Sequence, residues 1–296
     1  MSITSQVCIL FIVVLVGAAC RKLGFFNDAT IQGVTKLVVN ITVPCLMISN
    51  MQRPFDLTVL RNFLITLALS AAVILGSIAL GLFLFKKRSH DKRAVLANLM
   101  GFSNCGFMGY PIILAINPDW MIYAIGYNTA NILTTWTIGI SLYGGKGGAN
   151  LRRILLNPNI ISALLGFFLF CTGLSLPAIP SEALSMIGGL TTPMTMLLLG
   201  TRLDGLRLAD LKTPDYHITA LMSLVAMPLI VHFGTGMLPL APYVSGTLFL
   251  LTTMPCGTLN AMQAEIYGGD NIFAARTIAY ATLLSLVTVP LLSTLL

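Results

Sequence analysis

The feature that most constrains this chain is a pair of matched interruptions in long apolar segments. One reads Gly101-Phe-Ser-Asn-Cys-Gly-Phe-Met-Gly-Tyr-Pro111 and the other Thr252-Thr-Met-Pro-Cys-Gly-Thr-Leu-Asn260. A shift of about 149 residues lays the first on the second, and the same shift lays Thr42-Val-Pro44 on Thr191-Thr-Pro193. Hydrocarbon tolerates unwound backbone only where protein or a water-filled cavity satisfies its polar groups. Paired interruptions in two halves of a chain point to a transporter binding site. The two breaks therefore predict a shared cavity near mid-membrane.

The bilayer is the solvent this argument needs. Of the 296 residues, 56% are hydrophobic and 9% charged, and mean hydropathy is +0.88. Apolar windows of about 20 residues, the length a membrane helix requires, recur along the chain. Ten are expected: 5–21, 29–51, 59–85, 93–116, 119–142, 158–175, 181–201, 216–237, 243–267 and 272–295, numbered 1 to 10. The fold class is thus an all-α polytopic membrane protein.

A net charge of +7 invites a nucleic-acid partner, but the positions of the charges argue against one. Loops after odd helices carry Arg21, Lys22, Lys86, Lys87, Arg88, Lys92, Arg93, Lys146, Arg152, Arg153, Arg202, Arg207, Lys212 and Arg276. Loops after even helices carry only Arg53 and Arg61, and Lys36 lies inside helix 2. The positive-inside rule then places odd-helix loops in the cytoplasm and both termini outside. The run Lys86–Arg93 reads as an orientation signal in contact with lipid headgroups. The six cysteines are scattered in apolar segments with no CxxC pair, and read as free thiols. The first apolar stretch lacks a basic start, so it reads as helix 1 and not as a signal peptide.

The repeat divides the chain into residues 1–142, a Gly-rich cytoplasmic linker over 143–157, and residues 158–296. Five helices per half is an odd number. The second half therefore enters from the opposite side, and the repeats are inverted. Each half has a central proline in its second helix (Pro44, Pro193) and a break in its fourth.

Signatures of enzymes are missing: no HExxH, GxSxG or Walker loop, and no metal-binding pattern around the three histidines. The chemistry sits at the breaks. The first offers Ser103 and Asn104; the second offers Thr252, Thr253, Thr258, Asn260 and Gln263. A half-helix that begins inside the membrane exposes unpaired N–H groups and a partial positive charge. Two such termini facing one cavity suit a carboxylate. Freed carbonyls beside them suit a cation instead. Helix 5 adds Asn128, Asn131 and Thr135 on one face, either as site groups or as interhelical hydrogen-bonding glue. Asn40 and Thr42 flank Pro44; Thr191 and Thr192 flank Pro193. Lys36 and Glu265 are the ionisable groups within the apolar segments. They either pair or snorkel, or Glu265 takes up a coupling proton.

Four motifs in order resemble the auxin efflux carrier family: Leu37-Val-Val-Asn-Ile-Thr-Val-Pro44, Asn104-Cys-Gly-Phe-Met-Gly-Tyr-Pro111, Pro193-Met-Thr-Met-Leu-Leu-Leu-Gly200, and Pro255-Cys-Gly-Thr-Leu-Asn260 with Tyr267-Gly. That family includes bacterial malate and malonate permeases and the plant PIN proteins. The resemblance covers essentially the whole chain. It implies a scaffold of helices 1, 2, 6 and 7, often dimeric, and a transport domain of helices 3–5 and 8–10. Broken helices 4 and 9 cross in that domain, which moves elevator-fashion. The more distant bile acid sodium symporters place sodium behind the crossing; the first break here has no acidic residue.

The expected function is a carrier for a small organic anion in the cytoplasmic membrane, with no cofactor and with coupling to H+ or Na+ left open. Asn104, Pro111, Pro255 and Asn260 form the expected crossing, with Asn128, Asn131, Thr258, Gln263, Asn40 and Thr192 beside the substrate. Glu265, Ser103 and Thr253 are the candidates for a coupling ion. A sodium symporter of a larger amphipathic anion, such as a bile acid, is the alternative, and a membrane receptor or enzyme a further one.

Overall fold

A computed structural model describes residues 3–143, 152, 155–202 and 213–296. Most of the Gly-rich linker, with Lys146 and Arg153, lies outside the described residues, as do Arg207 and Lys212. The helices are α1 (Ile3–Lys22), α2 (Asp28–Met51), α3 (Leu57–Leu84), α4a (His90–Gly101), α4b (Cys105–Ile116), α5 (121–139) and α6 (Pro158–Thr172). Then follow α7 (Ala178–Thr201), α8 (Pro214–Gly236), α9a (Pro242–Thr252), α9b (Leu259–Tyr267) and α10 (Asn271–Ser293). Five of them, α2, α3, α7, α8 and α10, are long and apolar enough to cross a membrane. Their outer faces expose large apolar side chains such as Phe83, Ile179, Phe233 and Val287, as contact with lipid requires.

Several helix starts are set by short polar side chains that accept from free N–H groups. Asn27 caps α2, Asp56 caps α3, Asn157 caps α6 and Asp270 caps α10. The helix ends at Gly173 and Gly268 need glycine, because φ is +65° and +87° there.

The prolines do something the sequence pattern does not announce. Pro44, Pro111 and Pro228 each follow a π turn: Val38–Thr42, Cys105–Gly109 and Met222–Ala226. In each, the residue before the proline donates its N–H five residues back: Val43 to Val38, Tyr110 to Cys105, Met227 to Met222. A proline ring collides with the carbonyl four residues earlier and leaves it without a donor. The wider turn moves that carbonyl aside, so the helix bends and continues.

Packing follows small residues. α1 runs along α7, with Gly17 against the backbone of Leu197 and Gly200 against the backbone of Val14. α2 packs on α6, where Gly166 meets Met51, and on α7, where Gly188 meets the backbone of Leu46. In a second group α3 packs against both α4a and α5. α8 packs on α9a, and α10 on α9b and α8.

The basic run Lys86–Arg93 is more than a surface signal. Arg88 donates to Asp215 Oδ1 through Nη2 at 2.7 Å and Nε at 3.2 Å, and Lys92 lies 3.3 Å from Oδ2. The Asp215 side chain is only 3% exposed. Arg93 Nε donates to the Leu82 carbonyl at 2.9 Å, and Lys92 sits over the Phe273 ring. This cluster ties the start of α4a to the start of α8, one element from each half.

Candidate functional site between two broken helices

α4a stops at Gly101, and the next three residues run antiparallel to Pro255-Cys256-Gly257. Asn104 N–H donates to the Pro255 carbonyl at 2.7 Å, and Gly257 N–H donates to the Phe102 carbonyl at 2.8 Å. Ser103 faces Cys256 across this two-bond bridge. The facing positions correct the register read from the sequence. A shift of about 149 residues pairs Ser103 with Thr252, whereas the backbone sets the correspondence about four residues further on. Glycine at 257 has a direct reason: a Cβ there would lie 3.2 Å from the carbonyl oxygens of both Phe102 and Ser103. Asn260 clamps the join, its Nδ2 donating to Phe102 O at 3.2 Å and Gly257 O at 2.9 Å. The freed carbonyls of Phe102 and Pro255 are thus used in the bridge itself.

Beyond the bridge two half-helices begin, α4b behind Asn104 and α9b behind Thr258. The Asn104 side chain makes no capping bond; its carbonyl accepts from Met108 and Gly109 N–H. Both starts open on one cavity of about 250 Å³. It takes Ser103, Asn104 and Phe107 from the first break and Thr258, Asn260 and Met262 from the second. α5 contributes Asn128, Asn131, Thr135 and Trp136, α2 contributes Asn40 and Val43, and the start of α6 contributes Asn157 and Asn159. Among the described residues no charged side chain lines it.

Of the residues singled out in the sequence, Asn40, Ser103, Asn104, Asn128, Asn131, Thr135, Thr258 and Asn260 meet at this cavity. The others lie elsewhere. Pro111 is buried in the first turns of α4b, and Pro255 gives its carbonyl to the bridge. Thr253 donates to the Leu250 carbonyl, and Gln263 is buried behind the lining with neither amide atom paired to protein. Thr192 is half-buried on α7. Glu265 and Lys36 are both exposed, and no ion pair joins them. Asn159 carried no prior signal. An Asn-Pro-Asn stretch at a helix start reads as capping, which Asn157 performs by accepting from Asn159 N–H at 2.9 Å.

The polar atoms of the lining decide what the cavity can hold. Asn104 Nδ2, Asn131 Oδ1, Thr135 Oγ1, Asn159 Oδ1 and Asn260 Oδ1 are buried without a protein partner. Buried polar groups that lack partners carry a large desolvation cost. A ligand with both accepting and donating groups relieves it. Behind the bridge lies a second cavity of about 10 Å³, lined by Ser77, Ser103, Tyr127, Ser223, Thr252 and Cys256 among others. It has room for about one water-sized occupant and no carboxylate in its wall.

Residues 2–152 and 147–293 each match one family, described as membrane transport protein. The chain belongs to this family. It is the auxin efflux carrier family whose motifs the sequence resembles. An uncharacterized transporter of Methanothermobacter thermautotrophicus is 25% identical over all of this chain and 99% of its own length. The uncharacterized transporter YfdV of Escherichia coli K12 is 23% identical over 74% of each chain. The protein is accordingly a membrane transporter rather than an enzyme, and the two matched segments meet at the linker.

Proposed function

We propose that this transporter is a secondary carrier that moves a small organic anion, a carboxylate, across the cytoplasmic membrane by alternating access. One observation carries the reading: two half-helix starts and a ring of unpaired amide and hydroxyl atoms share a cavity that holds no fixed cation among the described residues. Each helix start holds the equivalent of about half a positive charge and several free N–H groups. Together they match a carboxylate, while the amide oxygens of Asn131 and Asn260 match a donor elsewhere on the ligand.

The cavity also lies on a seam. Val39, Asn40 and Val43 come from α2 and Asn157, Pro158 and Asn159 from the start of α6, and the remaining lining from α4, α5, α9 and the breaks within α4 and α9. With α1, α2, α6 and α7 as scaffold and α3–α5 with α8–α10 as the moving part, sliding along this seam carries the site between the two faces. Ten crossings with both termini outside complete this reading. It is supported by the charge asymmetry between odd and even loops. A sodium symporter of a bile-acid-sized anion fits less well: the cavity falls below the range for drug-sized ligands, and the small cavity behind it offers hydroxyls and the Cys256 thiol but, among the described residues, no carboxylate.

A thermal-shift screen of the purified protein against small carboxylates, with and without sodium and across pH, tests the proposal. The expected result is stabilisation by one carboxylate group of compounds, absent in Asn104→Ala. An Asn104→Ala variant that kept every shift would refute the site. Proton coupling through Glu265 is tested separately by uptake of Glu265→Gln under a pH gradient; unchanged proton dependence removes Glu265 from the mechanism.

A further inference from the structure

A larger cavity, about 730 Å³, opens between the end of α1, the start of α2, the end of α7 and the α9b–α10 region. Among the described residues its wall holds Arg21, Lys36, Arg202 and Asp28, with Gln32 and Thr35 between them. Asp28, Gln32, Thr35 and Lys36 recur at helical spacing, so they share one face of α2. The single acid is engaged: Asp28 Oδ1 accepts from Arg21 Nη2 at 2.7 Å. Lys36 Nζ and the Arg202 guanidinium have no ion-pair partner among the described residues, and both side chains are exposed.

This vestibule shares walls with the site at the bridge. A small cavity of about 20 Å³ is lined by Asn104 and Thr258, which also line the bridge cavity, and by Thr35 and Arg202, which also line the vestibule. Met262 lines both the bridge cavity and the vestibule. Among the described residues the charges on this path that lack an ion-pair partner are positive, and the bridge cavity has no charged side chain.

We infer that the vestibule is an anion-recruitment subsite, with Lys36 and Arg202 as its recognising cations, through which an organic anion approaches the bridge from the cytoplasmic side. The inference rests on the bridge cavity being the carrier site. Low-dielectric walls focus the field of two cations in a cleft, and such clefts raise local anion concentration and encounter rates about 10- to 1000-fold. Division of labour follows: the vestibule selects charge, and the uncharged site selects shape, so that the anion is attracted without being trapped.

A charge-selective labelling experiment tests this without knowledge of the substrate. Thr35→Cys, in a background where the native cysteines are replaced, is treated in detergent at low ionic strength with methanethiosulfonates bearing either a sulfonate or a trimethylammonium group. The sulfonate reagent is expected to react at least about 10-fold faster relative to its rate on a free thiol. That preference disappears when Lys36→Gln and Arg202→Gln are added, and shrinks at high salt. Gln32→Cys repeats the measurement should Thr35→Cys not fold. Equal normalised rates for the two reagents, or a preference that survives neutralisation of both cations, would overturn the inference. Uptake separates it from the carrier reading. Loss of charge preference with wild-type uptake removes the vestibule alone. Intact preference, abolished by the two glutamines, in a protein that binds no carboxylate keeps the vestibule and removes the carrier site.

Discussion

Replacing Asn104 and Asn260 by alanine, one at a time, separates recognition from architecture at the bridge. Asn260 Nδ2 makes two hydrogen bonds to backbone carbonyls: one to Phe102 at 3.2 Å holds the second break onto the first, and one to Gly257 at 2.9 Å fixes the turn of the second break. At about 1 kcal/mol net for each neutral hydrogen bond, Asn260→Ala costs about 2 kcal/mol of stability. Asn104 Nδ2 is buried and has no protein partner. Its removal breaks no hydrogen bond and relieves one unpaired donor, so stability stays within about 0.5 kcal/mol of wild type. Binding changes in the opposite order. A hydrogen bond to a charged group contributes about 1.5–3 kcal/mol, which is roughly a 10- to 150-fold loss of affinity for Asn104→Ala. The assays are thermal unfolding in detergent without ligand, and the ligand dependence of the midpoint together with uptake KM in proteoliposomes. If Asn104→Ala unfolds as easily as Asn260→Ala and holds a carboxylate at wild-type affinity, the division of roles is wrong.

Other expectations follow from the same contacts. Gly257→Val pushes two methyl groups toward the carbonyls of Phe102 and Ser103, which are backbone and cannot rotate away; uptake is abolished. Gly257→Ala costs about 1–3 kcal/mol with reduced uptake, both read on reconstituted protein. Asp215→Asn leaves Arg88 and Lys92 without their carboxylate. Those side chains are 45% and 31% exposed and regain water, so the loss is about 2 kcal/mol rather than the 3–5 of a fully buried pair. Adding Arg88→Gln then costs less than in the wild-type background, as a double-mutant unfolding cycle measures. The Asp56 carboxyl is held below its ordinary value by N–H donation from Thr58 and Val59 at the start of α3. A lowered value in the folded state means that this stability is complete above the unfolded carboxyl's value of about 4. It is lost as pH falls through the folded value. Asp56→Asn keeps a cap and loses that acid dependence, seen as a flatter midpoint-against-pH profile below about pH 5.

How much was legible in the sequence depends on the distance over which each cause acts. The helices were, because the length and apolarity of a segment are local properties. The two breaks were, because Gly101-Phe-Ser-Asn104 and Pro255-Cys-Gly257 cannot continue a helix smoothly. Asn104, Asn128, Asn131, Thr258 and Asn260 were named because polar side chains amid apolar runs need a reason. Gln263 met the same criterion and is buried without lining the cavity, because helical spacing gives the face of α9b but not the depth of the cavity along it. Glu265 also met it, and is exposed. The π turns before Pro44, Pro111 and Pro228 were not legible, because proline announces a disturbance but not how the helix absorbs it.

The amino-acid sequence by itself determined that this is a membrane protein with two interrupted helices in corresponding places, and which of its ends carry the positive charge. These follow from transfer free energies summed along the chain. Only the tertiary structure decided that Ser103 faces Cys256, that Asn159 of α6 and Asn40 of α2 complete the cavity, and that Asp215 draws in Arg88 and Lys92. It also decided that Arg202 and Lys36 share one vestibule, and that Thr35 and Arg202 line a small cavity together with Asn104 and Thr258 of the bridge. Each of these is a juxtaposition of residues far apart in the chain. It is set by how closely glycine-bearing helices pack, which no local pattern encodes.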